Sequence, residues 1–156
     1  MTGSTADEAG QACPREPATV EFSVDGGLGV IALNRPSARN AIDRAIVDGL
    51  HEAVQRCAAD TAVRALLIEA NGPAFTVGGD VAMLARTGPD ALPAELRRMT
   101  TSYHATLQIL DRLAVPVVAA VHGAVAGGGL GLTYVADIVI AAEGTRFATG
   151  FSGLGL

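Results

Sequence analysis

Two glycine-bearing stretches hold the residues whose types and spacing could do chemistry. They are "AFTVGGD", Ala74 to Asp80, and "VHGAVAGGGLGL", Val121 to Leu132. Each follows an apolar run that reads as a buried strand, and each leads into a helical pattern. The opening turn of a helix carries N–H groups with no internal acceptor. A glycine there lets a ligand atom approach the main chain with no Cβ in the way. One such N–H from each stretch, meeting on a single oxygen, would hold a carbonyl as it gains negative charge. Removing one donor of that kind typically costs about 3–4 kcal/mol of barrier. On spacing alone, tight turns and close helix–strand packing are the readier explanation of the glycines.

Other chemistries find less support. A dinucleotide loop of the form G-x-G-x-x-G starting at Gly127 and Gly129 would need a glycine at Leu132. A phosphate loop ending in Lys-Ser or Lys-Thr is excluded, because the chain has no lysine. "GFSG" is not the G-x-S-x-G elbow of hydrolases. No cluster of His, Cys, Asp and Glu has metal-ligand spacing, so no metal is expected. Asp80 fits a helix N-cap better than a base, and Asp137 fits a turn anchor. His122, at the end of a buried strand, reads as a structural histidine bonded to backbone. His51 and His104 read as surface or packing residues on helices, and Glu143 as exposed.

The elements that must position the glycines follow from pattern. Val20, Phe22 and Val24 alternate, "DGG" turns, and Val30, Ala32 and Leu33 return, which predicts a hairpin ended by Pro36. "SARNAI" reads as a loop. Ile42, Ile46, Leu50, Ala53 or Val54, and Cys57 recur at helical steps behind a candidate N-cap, Asp43. A strand is expected over Val63–Ala70 and a short helix over Asp80–Arg86. A longer helix follows Pro93, with Leu96, Met99, Tyr103, Leu107, Leu110 and Leu113 on one face. Strand "VPVVAAV", the glycines, a short helix to about Val135, strand Asp137–Ala142 and a short strand at "RFAT" complete the order. Alternation of this kind predicts an α/β fold with parallel crossovers.

Composition bounds the rest. The chain has 156 residues, 49% hydrophobic and 17% charged, which suits one globular domain with a core. Net charge is −5, and the 11 cations are scattered arginines. They form no basic stripe for nucleic acid and no polybasic membrane patch. Cys13 and Cys57 make no disulfide framework, which suits a reduced, cytoplasmic protein. Residues 1–18 read as a flexible leader that lacks the basic start and apolar core of a signal peptide. Residues 19–156 read as the folded core. From Leu113 to Ala136 only His122 could carry charge, a length that could span a bilayer. Pro116, the glycines and the β-branched valines favour a buried strand instead. The closing "FSGLGL" is apolar and uncapped, and reads as a cut end.

Four blocks taken together resemble the crotonase, or enoyl-CoA hydratase/isomerase, family. They are "ALNRPSARNAI", "AFTVGGDV", "VPVVAAVHGAVAGGGLGL" and "ADIVIAAEGTRFATGFSGLGL". They occur in the family's order and spacing from about Val20 onward. The resemblance implies a β-β-α spiral that here lacks the C-terminal helical region, which in relatives closes the acyl pocket and builds trimers. It implies an acyl-CoA thioester as substrate, coenzyme A entering only as part of it, no other cofactor, and a homotrimer or hexamer if the full fold is present. It also implies that Gly79 and Gly128 supply the two N–H groups of the oxyanion hole. Arg39, Asn40 and Ala41 would lie along the CoA. Hydratases of this family use two glutamates to activate water and protonate the α-carbon. The matching positions here are Gly131 and Phe151. Double-bond isomerisation, which needs one proton shuttle, is therefore expected over hydration. The alternatives are a non-catalytic acyl-CoA-binding or hetero-oligomer subunit, or a remnant of such an enzyme.

Overall fold

The computed structural model describes residues 18–150. The leader, Cys13, Phe151, Ser152 and the rest of "FSGLGL" lie outside the described residues. Strands β1 (Val20–Asp25) and β2 (Leu28–Leu33) form the expected antiparallel hairpin, in register from Val20↔Leu33 to Asp25↔Leu28. Gly26 and Gly27 turn it with φ of 55° and 88°, which matches the right-handed twist of the flanking strands. Helix α1 (Arg44–Ala59) then crosses back to β3 (Ala65–Ala70), which lies parallel to β2. Asp43 caps α1, its carboxylate accepting from the Ile46 N–H at 2.9 Å. Its apolar stripe, Ile46, Val47, Leu50, Ala53, Val54 and Cys57, is buried. Each large member contributes roughly 1.5–3 kcal/mol by leaving water.

Helices α2 (Val81–Arg86) and α3 (Leu92–Asp111) lead to β4 (Val117–Val121), parallel to β3. Helix α3 packs along α1. It starts at Leu92 rather than after Pro93, because proline needs no hydrogen bond in the first turn and so belongs inside it. Leu96 is 37% exposed although the apolar period includes it. It faces a cavity rather than α1.

Strand β5 (Ala124–Ala126), a 3-10 turn (Gly127–Gly129), helix α4 (Leu130–Tyr134), β6 (Ile138–Ala141) and β7 (Arg146–Ala148) complete the order. The main sheet runs β1-β2-β3-β4-β6, with only the hairpin antiparallel. Strand β5 was not anticipated among the glycines. It pairs parallel with β7, and Val125 is fully buried between its neighbours. "SARNAI" is not wholly irregular either: Pro36–Ala38 forms a 3-10 turn, followed by left-handed Arg39 and Asn40. Leu113–Ala136 is divided among β4, β5, the glycine turn and α4, and no described helix is long and apolar enough to cross a membrane. Ile138, Ile140 and Phe147 are 54%, 60% and 52% exposed, giving β6 and β7 an open apolar face.

Candidate active site

The first glycine loop is hung from three neighbours. The Phe75 N–H donates to the His122 carbonyl at 2.9 Å. Thr76 pairs with the β5 region, its N–H reaching the Ala124 carbonyl and its own carbonyl taking the Ala126 N–H, each at 3.0 Å. Ile42 then bridges the loop. Its N–H donates to the Gly78 carbonyl at 2.7 Å, and its carbonyl accepts from the Asp80 N–H at 3.0 Å. In such a pairing the intervening residue points its own N–H the other way. That residue is Gly79, which lines a cavity of about 450 Å³.

Gly128 lines the same cavity. It sits second in the 3-10 turn, where the opening N–H groups have no carbonyl within the turn to bond. The two loops meet main chain to main chain. A Cβ on Gly78, whose φ is +84°, would lie 2.8 Å from the Ala126 carbonyl oxygen. A Cβ on Gly129 would lie 2.1 Å from the Thr76 methyl. Only glycine allows either approach. The structure thus brings Gly79 and Gly128 to one cavity from stretches nearly fifty positions apart in sequence.

The cavity wall is apolar over Ile42, Val47, Val77, Leu84, Leu96 and Met99. Its ionisable members among the described residues are Asp80 and Tyr103. Asp80 caps α2, accepting from the Met83 N–H at 2.8 Å, and also accepts from Arg35 Nη1 at 2.7 Å. Burial alone would raise its pKa. The Met83 and Arg35 hydrogen bonds, with the charges of Arg35 and Arg86, outweigh that and hold it below the ordinary carboxylate range. A carboxylate so engaged is a poor base. The buried Tyr103 hydroxyl donates to the Gly128 carbonyl at 2.8 Å. Burial pushes its pKa up, so it stays a neutral donor.

The remaining candidates separate clearly. Arg39 is exposed, on a left-handed backbone. Asn40 is fully buried and is part of the scaffold. Its side-chain oxygen accepts from the Arg35 N–H at 2.7 Å, and its amide donates to the Asn71 and Ala74 carbonyls, each at 2.9 Å. Ala41 is buried, with its N–H on the Ala38 carbonyl and its own carbonyl bonded by Arg35. Gly131 is closed in: a Cβ there would stand 2.8 Å from the Leu107 Cδ1 and 3.5 Å from the Tyr103 hydroxyl. Thr149 and Gly150, which precede Phe151, line the cavity.

His122 bonds the Gly72 carbonyl at 2.8 Å, as a structural histidine should. His51 bonds the Thr106 hydroxyl at 2.8 Å and ties α1 to α3. Asp137 anchors the start of β4, accepting from the Val117 N–H at 2.8 Å, and His104 and Glu143 are exposed. No metal-ligating cluster occurs among the described residues. Sequence reasoning missed two residues, Tyr103 and Arg35. The signal for Tyr103 was a hydroxyl on an otherwise apolar helix face. Arg35 gave no signal beyond its place before Pro36.

Comparison with known proteins agrees with this architecture. The profile of the enoyl-CoA hydratase/isomerase family matches residues 28–156, and the chain belongs to that family. The fold is that of crotonases. An enoyl-CoA hydratase structure from Mycobacterium smegmatis superposes with a TM-score of 0.80 at 32% identity, covering 90% of this chain and 54% of that one. Trans-2-decenoyl-[acyl-carrier-protein] isomerase of Streptococcus mutans is 35% identical over 86% of this chain and 51% of its own length. Mouse mitochondrial Delta(3,5)-Delta(2,4)-dienoyl-CoA isomerase is 32% identical over 86% of this chain and 45% of its own. The chain spans about half the length of these relatives.

Proposed function

We propose that this chain binds an acyl-CoA thioester and holds the thioester oxygen between the N–H groups of Gly79 and Gly128 as it becomes an enolate. The observation that carries the reading is that both glycines line one apolar cavity. The rest of the wall suits an aliphatic acyl group, which gains about 0.8 kcal/mol per buried CH₂. Gripping the oxygen acidifies the α-carbon without any reactive side chain. Arg39, exposed beside the scaffold residue Asn40, is the proposed contact for a CoA phosphate. Assembly into trimers belongs to the same proposal.

The reaction proposed is double-bond migration rather than hydration. Hydration needs a group that activates water, and Gly131 carries none. Migration in a 3-enoyl-CoA removes one proton from C2, passes the charge to the oxygen, and returns one proton at C4. The described cavity residues supply no free base for the first transfer, since Asp80 is held as an ion-paired cap. That observation favours a second reading, an acyl-CoA-binding chain without turnover.

The test supplies 3-enoyl-CoA and follows the conjugated 2-enoyl product by ultraviolet absorbance. It runs beside loss of a 2-enoyl-CoA chromophore for hydration and beside an acyl-carrier-protein thioester. Migration supports the first reading. Tight binding without turnover supports the second. No binding of any acyl thioester overturns both.

A further inference from the structure

The N–H of a residue and the carbonyl of the residue before it belong to one planar unit, and in a trans peptide they point opposite ways. The direction of the Gly79 N–H is therefore set by whatever holds the Gly78 carbonyl. That group is the Ile42 N–H, at 2.7 Å. The Ile42 N–H in turn shares its plane with the Ala41 carbonyl, which accepts from Arg35 Nη1 at 3.0 Å. A guanidinium cation, the 41–42 peptide and the 78–79 peptide thus stand in series. Each step is a rigid plane or a hydrogen bond, and no freely turning dihedral lies between the guanidinium and the Gly79 N–H.

We infer that Arg35 is a positioning residue that aims and polarises the Gly79 N–H through these two peptides. This rests on the proposed thioester-oxygen site. Arg35 does not line the cavity and does not touch the reacting atoms.

The guanidinium is itself held in place. Nη1 carries two hydrogens, and the one not given to Ala41 goes to Asp80 Oδ2 at 2.7 Å. Nε lies 3.4 Å from Asp43 Oδ2. The far side of the bridge is closed by the Asp80 N–H on the Ile42 carbonyl at 3.0 Å. Hydrogen bonds in a chain polarise one another, by about 10–30% per bond. A cation at the head of the chain makes the last N–H a better donor. Gly128 is held differently: the Gly127 carbonyl, which shares its plane, accepts from the Leu130 N–H inside the turn. The influence of Arg35 should therefore fall on one donor of the two. It should also matter more for an enolate than for an unreacted thioester, because a charge-assisted hydrogen bond is about twice as strong as a neutral one.

The test labels glycine with carbon-13 at the carbonyl and with nitrogen-15. A carbonyl-selected amide spectrum then shows only N–H groups that follow a glycine, which are those of Gly27, Gly79, Gly128 and Gly129. In the ligand-free protein, Arg35→Met should move the Gly79 amide proton upfield and further than the other three. The ratio of acetoacetyl-CoA enolate affinity to butyryl-CoA affinity should fall by more than about threefold. If Arg35→Met does not fold alone, it is compared on the Asp80→Asn background with Asp80→Asn itself. Asparagine still caps a helix, and removing both partners leaves no bare buried carboxylate. A Gly79 signal that moves no more than the others, or a smaller fall in the ratio, overturns the relay. The oxygen site is read separately, since acetoacetyl-CoA should shift the Gly79 and Gly128 signals of the wild-type protein. If neither shifts, the site is overturned and the positioning role with it.

Discussion

Replacing Gly78 and Gly79 by alanine, one at a time, separates packing from chemistry within two adjacent residues. Gly78 has a φ of +84°, and its added Cβ would stand 2.8 Å from the Ala126 carbonyl oxygen and 3.3 Å from the Gly127 Cα. Both obstacles are main chain and cannot swing aside. A left-handed backbone costs an alanine about 1–2 kcal/mol, and overpacking of this kind about 1–3 kcal/mol. The expected loss for Gly78→Ala is therefore about 2–5 kcal/mol. Gly79 has an ordinary backbone and nothing within 4 Å of its virtual Cβ. Gly79→Ala should leave stability unchanged or raise it by about 0.4–1 kcal/mol, through a less flexible unfolded chain. Urea unfolding followed by circular dichroism reads both. Equal midpoints for Gly78→Ala and the parent would refute the claim that the two loops meet through main-chain contact.

Other outcomes follow from the hydrogen-bond network. Asn40→Ala should cost about 3 kcal/mol or more, because it deletes a buried side chain bonded to Arg35, Asn71 and Ala74; chemical denaturation measures it. The folded-state pKa of Asp80 is depressed, so its contribution is present at neutral pH and is lost as pH falls below about 4. Asp80→Asn should flatten that acid limb in urea titrations across pH. Cys57 is buried, and burial with the charge of Asp60 raises its thiol pKa. Its reaction with a thiol reagent should follow global unfolding. Gly131→Glu meets only the flexible tip of Leu107, so thermal melts should show a change of less than about 1 kcal/mol; a loss above about 3 kcal/mol would show that Leu107 cannot swing aside.

The hairpin, α1, α2, β3 and β4 were legible because periodicity, turn glycines and caps agreed at each. Asp43 and Asp80 were readable as caps from type and place alone. Strand β5 was not, because a three-residue strand flanked by glycines has no period to detect; its partner β7 and the Thr76 bridge define it. The glycine pair was legible as two helix-opening loops, but only three-dimensional pairing through Ile42 brings Gly79 to the cavity that Gly128 lines. Asn40 and Ala41 were grouped with Arg39 by adjacency along the chain. Folding divides them, since the left-handed turn leaves Arg39 in solvent and drives the Asn40 side chain inward. Tyr103 was readable as core and not as a hydrogen-bond donor, because its acceptor lies 25 positions away.

Arg35 joins two helix starts. Its guanidinium bonds Asp80, the cap of α2, at 2.7 Å and lies 3.4 Å from Asp43, the cap of α1. Each carboxylate already quenches the positive end of its own helix dipole, and the arginine in turn offsets the carboxylates. The macrodipoles of α1 and α2 are thus silent toward an incoming anion. Whatever oxygen enters this cavity would meet individual amide dipoles at close range, a contact that ionic strength scarcely screens.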